Sequence, residues 1–97
     1  NQEDHVSMGT IGARKAQSIL SNAQSVIGVE LMAAAQAIDL DKEGKPGRGI
    51  HAAYQMLRQH LEPLEEDRVL YDDIKLCTSM VATGQIVKAV EKEVGEL

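Results

Sequence analysis

One stretch of this sequence is committed to an amphipathic helix with more apolar surface than the chain can cover. Between Ala16 and Ala34, positions 16, 19, 20, 23, 26, 27, 30, 31 and 34 fall on one side of a 3.6-residue spiral. Eight of these nine are apolar (Ala16, Ile19, Leu20, Ala23, Val26, Ile27, Leu31 and Ala34), and the exception is Glu30. Of the other ten positions only Val29, Met32 and Ala33 are apolar, and the alternation of a strand does not fit. The spacing predicts one long helix over 7–40. Beyond Val29 the polar side almost vanishes, with Leu31, Met32, Ala33, Ala34, Ala35, Ala37 and Ile38 following in close order. A helix apolar nearly all round is buried on several sides. A chain of 97 residues has little material for that, so this helix is expected to pack against something outside the chain. A membrane is excluded as that surrounding, because Gln17, Ser18, Ser21, Asn22, Gln24, Ser25, Glu30 and Gln36 interrupt the run.

The rest also reads as helices. Residues 41–49 hold three Gly, one Pro and five charges, the chemistry of a linker loop. A second helix is predicted from Ile50 to Glu62, with Ile50, Ala53, Tyr54, Leu57 and Leu61 on one face and Pro63 as its stop. A third starts near Tyr71, where Asp72 and Asp73 suit the positive end of the helix dipole. It carries Leu70, Ile74, Cys77 and Val81 on one face and stops at Gly84. The last runs over 85–94, with Val87, Val90 and Val94 aligned and Gly95 after it. No strand signal or internal repeat occurs. The expected fold is all-α: a long N-terminal helix plus three shorter ones, forming a single helical segment of a larger helical-bundle protein.

Charge and cysteine usage narrow the class. The formal charge of −5 argues against a nucleic-acid binder and against a polybasic membrane-surface segment. The single cysteine, Cys77, cannot form an internal disulfide, and a reducing compartment, the cytoplasm, is expected. The polar first residues show no signal peptide, and a start at Asn1 without Met is expected of a piece of a longer protein.

Few residues invite chemistry. Asn1-Gln2-Glu3-Asp4-His5 is dense in hydrogen-bonding side chains just ahead of the long helix. It reads either as a polar cluster lining a substrate site or as a polar terminus with Asp4 or Ser7 capping the helix. Residues 1–6 are taken as a loop. Glu3 and His5 could be metal ligands, but His51 and His60 are far away and nine residues apart, and no pair has zinc spacing. No metal is expected. Cys77, beside Ile74 and Val81, reads as a buried structural thiol. Lys45, Gly47, Arg48 and Gly49 lack the pattern of a phosphate-binding loop, and Glu62, Glu65, Glu66 and Asp67 read as a solvated acidic run.

The nine residues from Asn1 to Gly9, followed by Ala13-Arg14-Lys15, resemble a signature of the aromatic amino-acid ammonia-lyases. The Gln2-Glu3-Asp4-His5 form resembles the histidine-acting branch; the phenylalanine and tyrosine enzymes typically read Asn-Gln-Asp there. Val29-Glu30-Leu31-Met32 and Ala35-Gln36-Ala37-Ile38-Asp39-Leu40 are similar to the same branch. The resemblance covers this whole chain but only the C-terminal part of the family's usual length. It implies a homotetramer built on a central helical bundle, with active sites drawn from more than one subunit. The implied reaction removes ammonia from L-histidine to give trans-urocanate. The implied electrophile is a methylidene-imidazolone made from an internal Ala-Ser-Gly, which occurs nowhere in these residues. Glu3 is then the implied catalytic residue, anchoring the imidazole or moving a proton, with Gln2 and Asn1 as further substrate-binding wall. The chain alone is expected to be inactive and to self-associate through its apolar stretch. The alternatives are the tail of a tyrosine or phenylalanine ammonia-lyase or aminomutase, or a non-catalytic helical oligomerisation module.

Overall fold

The computed structural model describes the backbone from Gln2 to Leu97 and side chains from Met8 onward. Four helices follow in order: α1 (Gln2–Leu40), α2 (Arg48–Arg58), α3 (Tyr71–Ala82) and α4 (Gln85–Val94). No strand occurs among the described residues. α1 starts ahead of the boundary expected at 7, since no Gly or Pro stands in 2–8 to stop the ladder. α3 and α4 lie where the sequence places them. They are separated by Gly84 at φ 74° and closed by Gly95 at φ 93°, left-handed positions that suit glycine.

The helices pair as α1 with α3 and α2 with α4, and the core lies where the two pairs meet. Ala35, Leu57, Leu61, Cys77 and Met80 are buried there, ringed by Leu31, Met32, Tyr54, Met56, Leu76 and Ile86. α1 meets α3 through Gly28, where an added Cβ would lie 2.9 Å from the Thr78 amide nitrogen. α4 packs on the start of α2, with Val90 and Val94 against Gly49.

α2 ends at Arg58, short of the expected Glu62. The cause is tertiary. The Arg58 guanidinium donates to the Leu61 carbonyl (3.0 Å) and to Asp39 on α1, which turns the chain and drops Leu61 into the core. The following segment is then held by Gln36, whose side-chain amide donates to the Leu64 carbonyl and accepts from the Leu64 N–H, each at 3.0 Å. Arg68 closes the acidic run by donating to the carbonyls of Glu62 and Pro63 and to Asp73.

The larger difference concerns α1. The eight-residue apolar stripe read from the sequence is not the face the fold uses. Ile19, Leu20, Val26 and Ile27 stay exposed, and Leu31 alone of the stripe is partly covered. The buried side is instead Gly28, Met32, Ala35 and Gln36, with the small residues letting α3 come close. The exposed area is 7520 Å², against about 5,400 Å² for a compact protein of this mass. The radius of gyration, 17.7 Å, exceeds the roughly 13 Å of a compact chain of this length. The helix therefore has an uncovered apolar side, as its composition requires.

Cys77 is fully buried. Burial pushes its thiol above the ordinary value, and the Asp73 charge pushes the same way against a smaller opposing pull from Arg58. A thiol both inaccessible and protonated is a poor nucleophile. It is expected to stay unmodified by an aromatic disulfide reagent at neutral pH and to react fully once urea unfolds the chain. Stoichiometric reaction of the native protein within minutes would contradict this packing.

Candidate functional site

The candidate substrate-contacting residues Asn1, Gln2 and Glu3, with Asp4 and His5 beside them, have side chains outside the described residues. Their backbone position is still informative. Residues 2–5 lie in the first turn of a 39-residue helix, at the opposite end from the segment that packs on α3. At 1.5 Å per residue, such a helix is about 58 Å long. Among the described residues near that end, Ile11, Arg14, Lys15, Ser18, Ile19 and Asn22 line a shallow open depression along one side of the helix. No other described element reaches over them.

An apolar recess of about 210 Å³ lies between α1 and the segment after α2. Val29, Met32, Ala33, Leu61, Leu64 and Leu70 form its walls. Three of its polar members are already engaged: Gln36 with Leu64, Arg58 with Asp39, and Arg68 with Asp73. The fourth, Glu62, stands in a lining that is mostly apolar, and the recess suits an apolar side chain better than a reaction.

The other sequence candidates separate cleanly. His51 stacks near Tyr54, with ring centroids 6.4 Å apart, and His60 is exposed just past α2. Among the described residues no group of His, Cys, Asp and Glu could hold a metal ion. Arg48, in the stretch weighed as a phosphate cradle, instead donates to the Glu93 carbonyl at 2.6 Å on the surface. Among the described residues no helix is long and apolar enough to cross a membrane.

A polar cluster that sequence reasoning missed lies at the junction of α1 and α2. Asp39 accepts hydrogen bonds from the Tyr54 hydroxyl and from Arg58, whose Nη2 lies 2.5 Å and Nε 3.1 Å away. Arg58 also sits over the Tyr54 ring, 5.6 Å from its centroid. Burial works to raise the pKa of Asp39. The hydrogen bonds from Tyr54 and Arg58, with the charges of Arg58 and Lys42, outweigh it and hold the carboxyl below its ordinary value. The same hydrogen bond, aided by burial, raises Tyr54 above its own. Each partner satisfies another, so the cluster fastens helices and leaves nothing free for substrate. Its signal in the sequence was faint: an acid near the end of one helix, and a Tyr and an Arg four apart on the next.

The comparisons bear on the N-terminal cluster. The family model described as aromatic amino acid lyase matches residues 1–59. A histidine ammonia-lyase of Alkaliphilus oremlandii is 51% identical over 94 residues, covering 97% of this chain and 18% of that protein. One from Natranaerobius thermophilus is 47% identical over 97 residues, 100% of this chain and 19% of the relative. A third, from Caldanaerobacter subterraneus, is 45% identical over 93 residues, 96% of this chain and 18% of the relative. The chain spans under a fifth of the length of these relatives. No solved structure matches it.

Proposed function

Since the chain belongs to the aromatic amino acid lyase family, we propose that it is the C-terminal portion of a histidine ammonia-lyase, which eliminates ammonia from L-histidine to give trans-urocanate. One observation carries the reading: identity of 47% with a histidine ammonia-lyase runs over the entire chain, the Asn1–His5 cluster included.

Elimination removes a weakly acidic proton beside the imidazole ring, so the ring must be held still. A carboxylate at Glu3 supplies a charge-assisted hydrogen bond to a ring N–H, stronger and more directional than a neutral amide gives. In this reading the same carboxylate also shares in proton transfer. Gln2 and Asn1 extend the polar wall around the substrate. Asp4 and His5 hold the surrounding backbone. A methylidene-imidazolone, where the whole enzyme carries one, would supply the electrophile for loss of the amino group. Its precursor Ala-Ser-Gly is missing from these 97 residues, so the group belongs to another part of the enzyme. The uncovered stripe of α1 supports assembly with other subunits as a homotetramer, and the cytoplasm is the proposed setting.

The test is ultraviolet detection of urocanate from histidine by the full-length enzyme that carries this segment. Glu3→Gln in that enzyme is expected to lower kcat/KM at least tenfold, about 1.4 kcal/mol of transition-state stabilisation. The 97-residue chain alone is expected to give no urocanate. Product from tyrosine or phenylalanine instead would move the assignment to that branch of the family. No product from any aromatic amino acid would leave a helical oligomerisation module.

A further inference from the structure

We draw no further inference here: the strongest candidate, the apolar recess between α1 and the segment after α2 walled by Val29, Met32, Leu64 and Leu70, is an unpartnered face of a chain that spans under a fifth of its relatives' length, and nothing in the structure shows what covers it.

Discussion

Gly28→Val is expected to lower the thermal midpoint of the chain by about 12 °C or more. An added Cβ would sit 2.9 Å from the Thr78 amide nitrogen, 3.1 Å from Thr78 Oγ1 and 3.2 Å from the Cys77 carbonyl carbon. Two of those three neighbours are backbone, which cannot swing aside as a flexible side chain would. The Thr78 hydroxyl is tied down by donating to the Ile74 carbonyl at 2.7 Å. The helices would have to separate where Cys77 and Met80 meet Ala35, the centre of a core of only five buried residues. Overpacking of this kind costs about 3 kcal/mol. A domain of this size has roughly 5–10 kcal/mol in all. The intrinsic helical gain from replacing a glycine, about 1 kcal/mol at most, does not offset that. Gly12→Ala is the control, because nothing lies within 4 Å of the added atom, and it is expected not to lower the midpoint. Calorimetry giving Gly28→Val and Gly12→Ala the same midpoint would show that α1 and α3 do not meet as described.

The second large effect is expected at Asp39. Asp39→Ala leaves the Arg58 guanidinium, whose side chain is 13% exposed, without its counter-charge, and the Tyr54 hydroxyl without its acceptor. Stranding a mostly covered charge costs about 3 kcal/mol, where an exposed pair such as Arg48 with Glu93 contributes under about 1 kcal/mol. Replacing the whole cluster by Asp39→Ala, Tyr54→Phe and Arg58→Met together is expected to cost less than Asp39→Ala alone, since no charge is then left stranded and only the Leu61 carbonyl loses a donor. Acid should expose the same group. The Asp39 carboxyl is held below its ordinary value of 3.8 in the folded chain. Its contribution is therefore complete above that value and is lost as the pH falls through the lower folded one. In Asp39→Asn that part of the acid dependence should be missing. Chemical denaturation at pH 7 and pH 3 measures both, and an unchanged pH dependence in the variant would remove Asp39 from the account.

These two sites mark the limit of what the sequence discloses. Boundaries set by local chemistry were legible: Gly84 and Gly95 end their helices because only glycine sits easily at positive φ. The end of α2 was not, because it depends on Asp39, nineteen residues before Arg58. Gly28 reads in sequence as a weak point in a helix. Its use, admitting the backbone of α3, exists only once the chain has folded. The face of α1 misled for a related reason. Periodicity finds the most apolar side, and here that side is left uncovered while a mixed side of Gly, Ala, Met and Gln is buried. At the candidate site, the bare chemistry of Asn1, Gln2 and Glu3 is equally that of a polar terminus. Only the order of those residues singled them out, and order carries family resemblance rather than physics.

The two sides of α1 also answer to different selective pressures. A change at Gly28 or Ala35 is filtered by whether this chain folds at all, because α3 registers it at once. A change at Ile19, Leu20 or Ile27, all exposed and outside the core of the described residues, passes that filter more easily. The outward stripe is thus free of α2, α3 and α4 and is held, residue by residue, by whatever surface covers it. Along one continuous helix, two histories are written on nearly opposite sides, and substitutions that leave stability untouched are the ones that report on the second.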